Sequence, residues 1–280
     1  MGLLSKITQS AAVNVQARTP VTAVTSETDV PGTSSTPSTH TIHTARGSIR
    51  ASKVIYTTNA YTSALLPEYA ANIVPCRGIC THITTPPAPD GKNRAPFLPY
   101  SYILGTQDGK GSSYLISRPD GSIIVGGAMY TFKSQLEKWY DVVDDSTLIE
   151  PTKDYYHGYM QRTFRGWEDS GAYVKEVWSG SRCLSSNRFD FYQADICAVM
   201  GYSYDSAPHV GAIPGKPGQY ICAAFNGHGM PVVFLSAKGV AEMVHSGKRF
   251  EEVGLPRIFK STTERIDRAR NGPEGGDILD

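Results

Sequence analysis

Near the C-terminal end of the chain, Tyr220-Ile-Cys-Ala-Ala-Phe225 leads into the loop Asn226-Gly-His-Gly-Met230 and then into an apolar stretch, 231–244. Apolar residues occupy nearly every side of the helix that this stretch would form, which predicts a buried helix, with Pro231 in its first turn and Gly247 at its C-terminal cap. A strand, a glycine loop and a helix in this order expose backbone N–H groups and the positive end of the helix dipole. The segment therefore predicts either a site for negative charge or a tight structural turn.

The bulk composition indicates a globular protein with a sizeable core. The chain has 280 residues, of which 40% are hydrophobic and 19% are charged, and its formal net charge is +1. This balance argues against nucleic acid or an anionic membrane as the main partner. No apolar run reaches the roughly 20 residues of a membrane span. The first eight residues lack an apolar signal core and the last three form no peroxisomal signal, so we expect a cytoplasmic protein.

The cysteines favour a reducing compartment. There are five of them, an odd number without a paired Cys-x-x-Cys, namely Cys76, Cys80, Cys183, Cys197 and Cys222. We interpret them as reduced thiols. A metal site at Cys76 and Cys80 is the alternative, but two sulfurs without further His or Cys ligands form a poor zinc site, so we expect no metal.

Strand patterns occupy much of the remaining sequence. β-Branched and alternating residues predict strands at 13–16, 21–24, 53–58 and 73–84 and hairpins at 41–50 and 113–125. Arg118-Pro-Asp-Gly121 supplies the turn of the second hairpin. Asp145 or Ser146 would cap a helix whose apolar stripe extends to Phe164 and packs on a sheet.

Four motifs together resemble one family. They are Phe225-Asn-Gly-His-Gly-Met-Pro231, Asp205-Ser-Ala-Pro-His-Val-Gly211, Lys53-Val-Ile-Tyr-Thr-Thr-Asn-Ala-Tyr-Thr62 and the hairpin from Tyr114 to Gly127. In this combination the chain resembles FAD-dependent oxidoreductases of the D-amino-acid-oxidase/sarcosine-oxidase type, fungal members in particular. The resemblance implies oxidation of a C–N bond in an amine or amino acid, with FAD accepting a hydride.

The resemblance also implies roles for individual residues. The flavin ring would be lined by Gly227, His228, Gly229 and Met230 and approached from a second strand by Thr58, Asn59 and Ala60. We expect a close backbone approach and a positive φ at Gly229. His228 is either a general base or a residue that positions the turn. Arg77 and Arg118 are candidates for binding a substrate carboxylate, or else ordinary structural arginines. No catalytic acid–base residue is assigned.

Two features depart from the family pattern. The Gly-x-Gly-x-x-Gly unit that holds the ADP half of FAD is not found, so we expect a chain truncated at its N-terminus that binds FAD weakly or not at all on its own. Residues 181–198 separate two strand-like stretches that the family joins. These 18 residues correspond to 54 nucleotides and are either a translated intron or a genuine loop. Since Cys197 belongs to this segment, a covalent flavin link has little support.

These observations predict an α+β fold. We expect a partial FAD-binding domain (1–68 and 199–280), a mostly antiparallel substrate domain (69–180) and an insert (181–198). The predicted function is FAD-dependent oxidation of a small-molecule amine or amino acid, with an intermediate of secondary metabolism among the candidate substrates. The alternative is a non-catalytic fragment or pseudoenzyme. Substrate identity, electron acceptor and oligomeric state stay open.

Overall fold

Sheets and a few helices form the regular structure of the residues that the computed structural model describes: 2–10, 12–27, 39–87, 95–106, 109, 111–152, 154–179 and 199–272. The strands are Val21–Ser26 (β1), His40–Thr44 (β2), Gly47–Ala51 (β3), Val54–Tyr56 (β4), Ile73–Cys76 (β5), Ile79–Thr84 (β6), Tyr102–Gly105 (β7), Ser112–Ser117 (β8), Ile123–Gly127 (β9), Tyr173–Ser179 (β10), Met200–Ser203 (β11), His209–Ala212 (β12) and Gln219–Ala223 (β13). The α-helices are Gly2–Thr8 (α1), Tyr159–Thr163 (α2), Val233–Ser246 (α3) and Thr263–Asn271 (α4). Short 3₁₀ turns occupy Asn59–Ala64, Pro67–Tyr69, Met129–Thr131, Leu136–Lys138, Glu150–Thr152, Phe250–Glu252 and Arg257–Phe259. The fold is α+β, as predicted.

A small sheet in the order β12-β13-β4 holds the two ends of the described chain together. β13 pairs with β12 in antiparallel fashion and with β4 in parallel fashion, with Tyr220 opposite Ile55. On one face, α3 packs its buried side chains Val240 and Met243 against Val210 and Cys222. Since β4 and β13 run in parallel, their carboxyl ends meet at the same edge of the sheet.

The opposite face of this sheet is covered by a different set of elements. Tyr56 packs there with Leu66 and Tyr69 from the 3₁₀ region and with Ile266 of α4. Val24 of β1, from the separate sheet β1-β2-β3, also packs against this cluster. The predicted hairpin at 41–50 is confirmed, because β2 and β3 pair across the turn at 45–46.

The largest sheet is antiparallel, in the order β10-β6-β9-β8-β7. Alternate residues such as Ile79 and Leu115 pack with Trp139 and Met160 into the main core. The predicted hairpin turn is confirmed: the Arg118 N–H binds the Ser122 carbonyl at 2.9 Å, and Gly121 takes a φ of 82°. The central strands β6 and β9 are buried on both faces, since nearly all their residues are buried, whereas β8 alternates between buried and exposed residues.

The ladders on either side of 181–198 are offset by the length of that segment. In the β6–β10 ladder the residue numbers of paired residues such as Ile79 and Ser179 add up to 258. In the β5–β11 ladder those of pairs such as Cys76 and Met200 add up to 276. The difference of 18 equals the number of residues from 181 to 198, which lie outside the described residues. Without them, β10 and β11 would pair with β6 and β5 in one register.

Two predicted elements are wrong. The stretch 13–16 pairs with no described strand and its residues are exposed, because its alternation has no sheet to join. Between 145 and 164 the structure has only the turn at 150–152 and α2, not one long helix. Gly158 takes a left-handed φ of 63° there, which interrupts the helix. The apolar stripe is nevertheless core, since Tyr156, Tyr159 and Met160 are buried.

The helix that follows the glycine loop also differs from the prediction. It begins at Val233, two residues after Pro231, and it is not buried on all sides: Phe234 is 65% exposed and Leu235 is 59% exposed. Its C-terminal cap is confirmed, since Gly247 has a φ of 68° and donates its N–H to the Met243 carbonyl at 3.1 Å. Only part of the apolar surface of this helix is therefore buried against the rest of the protein.

Candidate functional site

The glycine loop 225–230 lies where β13 ends and α3 begins. Its backbone makes an unusual series of left-handed conformations: φ is 65° at Ala224, 54° at Asn226 and 71° at Gly227. Left-handed non-glycine residues are sparse in proteins and persist where surrounding contacts hold them. Two asparagine side chains supply such contacts.

The first contact comes from Asn59, at the carboxyl end of β4. Its Oδ1 accepts the N–H of Ala224 at 2.9 Å and that of Phe225 at 3.4 Å. Asn59 itself has a left-handed φ of 44°, which aims its short side chain across to β13. The amide thus ties together the carboxyl ends of the two parallel strands, which is the edge where ligands bind in sheets of this kind.

The second contact comes from Asn226 inside the loop. Its N–H donates to the Gly201 carbonyl at 3.0 Å, its Oδ1 accepts the Ser203 N–H at 2.7 Å, and its Nδ2 donates to the Ala224 carbonyl at 3.0 Å. The loop is therefore fixed to β11 on one side and to Asn59 on the other. Its outer backbone is left without a covering element among the described residues, since Gly227 and His228 are exposed.

Glycine is required at the loop for two different reasons. A Cβ at Gly227 would lie 3.1 Å from Met200 Sδ and from Tyr202 Oη, and the φ of 71° already disfavours any other residue. A Cβ at Gly229 would lie 3.1 Å from Phe225 Cβ, so the predicted close approach is present there. The predicted positive φ at Gly229 is wrong, because it is Gly227 that makes the left-handed turn.

The ring of His228 is oriented by its own loop. Its Nδ1 lies 2.8 Å from the Asn226 carbonyl oxygen. A carbonyl oxygen only accepts, so the neutral ring carries its proton on Nδ1 and leaves Nε2 as an acceptor. Since His228 is exposed, that acceptor is accessible to a ligand at the loop.

The start of α3 adds positive potential beside the loop. No side chain of the described residues caps this helix, and the N–H groups of Val232 and Val233 both turn back to the Gly229 carbonyl, at 3.0 and 2.7 Å. Met230 is 78% exposed next to it. Exposed backbone, a helix dipole and an apolar side chain together suit a flat ring that carries an anionic edge, so these residues fit the isoalloxazine of a flavin.

Of the three residues predicted on the second strand, the structure brings Asn59 into contact with the loop. Thr58 is half-buried, and its Oγ1 lies 2.9 Å from Thr62 Oγ1. Ala60 is 1% exposed and its N–H faces β11, since a Cβ at Gly201 would lie 2.9 Å from Ala60 N. Asn59 therefore shapes the loop through its side-chain oxygen.

The two candidate arginines lie in different parts of the large-sheet region. Arg77 is 6% exposed, and its guanidinium donates to the carbonyls of Lys138, at 3.4 Å, and Thr147. Burial lowers the pKa of Arg77, opposed by Asp144 and Asp145. Arg118 lies in the hairpin turn, four residues beyond Tyr114, which pairs with Gly126.

Sequence reasoning missed the contribution of β11. Met200 lies against the loop, because a Cβ added at Gly227 would be 3.1 Å from Met200 Sδ. The same side chain approaches Gly78, where an added Cβ would be 3.0 Å from Met200 Cε. Gly201 supplies the carbonyl for Asn226 and lies against Asn59. A glycine inside a strand signals close backbone approach, and Gly201 offered that signal.

A partly buried charged cluster includes Asp205 of the second motif and Arg265 of α4. Asp205 binds Arg265 in bidentate geometry, at 2.7 and 2.8 Å, and the other guanidinium N–H groups reach the carbonyls of Ala207, Pro208 and Lys260. Burial raises the pKa of Asp205, but the hydrogen bonds and charge of Arg265 outweigh it, and the net shift is downward. Burial and, after it, the Arg265 charge lower the pKa of His209 to about 3.

His209 is therefore neutral in the folded protein. Its Nδ1 lies 3.2 Å from Ser261 Oγ, which in turn lies 2.6 Å from Tyr69 Oη. No catalytic role follows from this group of Ser, His and Asp side chains, because Ser261 and His209 are buried. The cluster ties α4 to β12 and the core.

Comparison with known proteins now places the chain in a class. The chain belongs to the FAD dependent oxidoreductase (DAO) family, whose model matches residues 2–243. No curated protein sequence matches it.

None of the helices in the described part of the chain has both the length and the apolar content needed to cross a membrane. Within the same residues, no group of three or more His, Cys, Asp or Glu side chains is placed to hold a metal ion.

Solved structures show the same fold at low identity. Glycine oxidase from Geobacillus kaustophilus is 15% identical with a TM-score of 0.56, over 88% of this chain and 52% of that chain. Fructosyl amine:oxygen oxidoreductase (Amadoriase I) from Aspergillus fumigatus is 15% identical with a TM-score of 0.55, over 91% and 53%. Iminodiacetate oxidase from Chelativorans sp. BNC1 is 15% identical with a TM-score of 0.53, over 80% and 50%. The chain thus spans about half the length of these structures.

Proposed function

We propose that this chain supplies the isoalloxazine-binding loop and the substrate sheet of an FAD-dependent enzyme that oxidises a C–N bond of an amine or amino acid. The observation that carries the proposal is the loop 225–230, held open by Asn59 and Asn226 at the start of an uncapped helix. The structures of glycine oxidase, iminodiacetate oxidase and fructosyl amine:oxygen oxidoreductase share the fold, which supports the substrate class.

The residues of this chain bind and orient. The exposed backbone of Gly227–Met230 and the helix start would hold the anionic edge of the ring, and Thr58 would approach it from β4. FAD, when bound, supplies the acceptor for the hydride that leaves the substrate carbon. His228 Nε2 offers an acceptor for a hydrogen bond from the ring or from a substrate ammonium group. Arg77 and Arg118 as carboxylate ligands stay predictions; the hydrogen bonds from the Arg77 guanidinium to the carbonyls of Lys138 and Thr147 favour a structural role for that residue.

We further propose the predicted two-domain division. The main core draws its buried residues from 74–172, whereas the clusters on the two faces of the small sheet draw theirs from 56–73 and 210–266. The change of cluster between Ile73 and Val74 lies close to the proposed boundary at 68/69. Cytoplasmic location, a fungal type and a role in secondary metabolism stay predictions.

Residues 181–198 are proposed as an insertion into one strand. The 18-residue offset between the β6–β10 and β5–β11 ladders supports this directly, because removal of 181–198 restores a single register. A translated intron of 54 nucleotides and a genuine loop both give this offset. Sequencing cDNA across the segment separates them: transcripts that all retain the 54 nucleotides establish a loop, and transcripts that lack them establish an intron.

A flavin titration tests the proposed function. The loop is proposed to contact only the flavin ring. Riboflavin and FAD should therefore bind this chain with affinities within about threefold of each other, as measured by the quenching of flavin fluorescence on binding. FAD should bind weakly, since each missing charge-assisted hydrogen bond to its phosphates removes roughly 1.5–3 kcal/mol, and about 1.4 kcal/mol is a factor of ten. FAD that stays bound in near-stoichiometric amount after desalting contradicts the expected weak binding.

The alternative, a non-catalytic fragment or pseudoenzyme, is supported by the sequence, which has no Gly-x-Gly-x-x-Gly unit. It makes a different prediction in the same titration. If neither riboflavin nor FAD is quenched by the chain, the loop is a structural turn and the alternative is correct.

A further inference from the structure

We propose that a cavity between α3 and the chain segment 253–259 binds a small apolar carboxylate, a molecule with a hydrocarbon or aromatic body and one carboxylate group. The cavity has a volume of about 240 Å³. None of the residues of the loop 225–230 lines it, so this site is a second one, beyond the proposed flavin site.

The cavity forms where the segment 253–259 packs on α3 around a glycine. Gly239 is buried in the helix, and a Cβ there would lie 2.7 Å from Leu255 Cδ1 and 3.3 Å from Val253 Cγ2. The segment therefore lies directly against the helix backbone at this point. Beside this contact the two elements diverge and leave the cavity open to solvent at Leu235, which is 59% exposed.

The size and the lining of the cavity suit a small apolar body. Valine, leucine, proline and phenylalanine side chains form most of its wall, among them Val232, Leu255 and Phe259. A cavity of about 150 Å³ with such a lining is large enough for benzene. The space of about 240 Å³ therefore fits an aromatic ring or a branched chain with a short acid arm, and it is too small for a nucleotide.

One buried hydroxyl in the wall lacks a partner. Ser236 lines the cavity in the first turn of α3, it is 0% exposed, and its Oγ has no hydrogen-bond partner in the described part of the chain. Serine hydroxyls inside helices often donate to the carbonyl four residues earlier, but the Val232 carbonyl accepts only the Ser236 N–H, at 3.0 Å. Since buried polar groups are nearly always hydrogen-bonded, this hydroxyl indicates a ligand with a polar group.

The charges that border the cavity favour an anion. Lys238 and Glu242 both line it. The Glu242 carboxylate is already bound by Lys248, at 2.7 Å. Lys238, in contrast, takes part in no ion pair with the residues that the structure describes. The ammonium of Lys238, on its long flexible side chain, and the Ser236 hydroxyl are both donors, and a carboxylate accepts from both.

A titration with hydrocinnamate tests the site on the 280-residue chain. This probe carries a phenyl ring on a short acid arm, and hydrocinnamyl alcohol has the same body without the charge. Saturation-transfer NMR should show saturable binding of the acid. Lys238→Gln should weaken the acid about threefold and leave the alcohol unchanged, because an exposed ion pair is lost. Lys175→Gln, at an exposed lysine of β10, should change neither.

Ser236→Ala separates a ligand-binding role of the hydroxyl from a structural one. Removal of a buried hydroxyl without a partner should leave the urea midpoint of the free protein unchanged or raise it. The same change should weaken hydrocinnamate about tenfold, because the carboxylate loses a charge-assisted hydrogen bond. Ser246→Ala, at an exposed serine of the same helix, should alter neither quantity. A lower urea midpoint with unchanged hydrocinnamate binding assigns the hydroxyl to a bound water and overturns the proposal.

Three further results would also overturn it. The first is the absence of saturable hydrocinnamate binding to the wild-type chain. The second is binding that ignores both Lys238→Gln and Ser236→Ala, which would place the acid elsewhere on the surface. The third is displacement of hydrocinnamate by riboflavin, which would place the acid at the loop 225–230.

Discussion

The glycine loop 225–230 and the Asp205–Arg265 cluster are both held by side chains that bond to backbone groups, but they differ in what they leave open. In the cluster, all the guanidinium nitrogens of Arg265 have partners, and its side chain is 11% exposed. In the loop, Asn59 and Asn226 fix the inner side of the backbone while Gly227 and His228 stay exposed. The charged pair inside the fold is enclosed by its own partners, whereas the two neutral amides hold an exposed loop in a fixed shape.

Breaking the cluster should produce the largest effect on stability. Arg265→Met leaves Asp205 half-enclosed without its partner, which should cost about 3–5 kcal/mol of unfolding free energy in urea titration. Riboflavin affinity of the folded fraction should change little, because the loop is tethered elsewhere. Arg268→Ala serves as the matched control: Arg268 also binds Asp205, at 3.0 Å, but is 61% exposed and should cost under about 1 kcal/mol.

Breaking the loop tether should lower both stability and flavin affinity. Asn59→Ala leaves the N–H groups of Ala224 and Phe225 without their acceptor, at a cost of about 1–3 kcal/mol. Riboflavin affinity should fall about tenfold as the loop loses its shape. Asn59→Asp retains an acceptor oxygen and should recover most of the stability. Equal losses in Asn59→Ala and in the exposed control Asn271→Ala would contradict the tether.

The free energy of unfolding should depend on pH through His209, which lies beside the Asp205–Arg265 pair. The pKa of His209 is lowered from 6.5 to about 3 in the folded protein, so the unfolded chain binds a proton first as the pH falls. The contribution of neutral His209 to the free energy of unfolding is fully present above pH 6.5. Below that pH the free energy of unfolding should fall by about 1.4 kcal/mol per pH unit, or about 2 kcal/mol by pH 5. His209→Gln should lack this slope between pH 6.5 and 5. The measurement is the urea midpoint of the wild type and of His209→Gln at each pH. If both proteins lose stability equally between pH 6.5 and 5, His209 is not the cause.

The smallest stability effect separates backbone strain from crowding. Gly227 and Gly215 share a φ of 71°, but only Gly227 has neighbours within 4 Å of an added Cβ. Gly215→Ala should cost about 1–2 kcal/mol from the left-handed conformation alone. Gly227→Ala should cost slightly more and should also weaken riboflavin, which Gly215→Ala should not. Identical riboflavin affinity in the two variants would remove Gly227 from the site.

Local patterns in the sequence predicted the local parts of the structure. The turn at Arg118–Gly121, the cap at Gly247 and the strand–loop–helix order around Gly227 follow from glycine and proline geometry or from apolar period. The helix at 145–164 failed because a period shows which side chains are buried and not that the backbone between them is continuous. Gly158 interrupts it with a single left-handed turn.

Long-range polar contacts were beyond the reach of such patterns. Asn59 and Ala224 are 165 positions apart, and no spacing rule marks an asparagine after a strand as the acceptor for another strand's end. The exposed face of α3 departs from the helix predicted to be buried on all sides, since composition shows how much of a helix is apolar but not which neighbours are present to cover it. The sequence predicted a loop between a strand and a helix at 226–230, and the structure shows which side chains hold it.

The Asn226–Gly227 pair has a consequence for chemical ageing. In an asparagine followed by glycine, the next backbone nitrogen readily attacks the side-chain carbonyl carbon, ammonia leaves, and hydrolysis of the cyclic imide gives aspartate or isoaspartate. Here both ends of the Asn226 amide are engaged, by the Ser203 N–H and by the Ala224 carbonyl, so the side chain cannot swing freely toward Gly227 N. Folded protein should therefore deamidate slowly at this position, and each event would place a negative charge where an anionic ring edge is expected to bind.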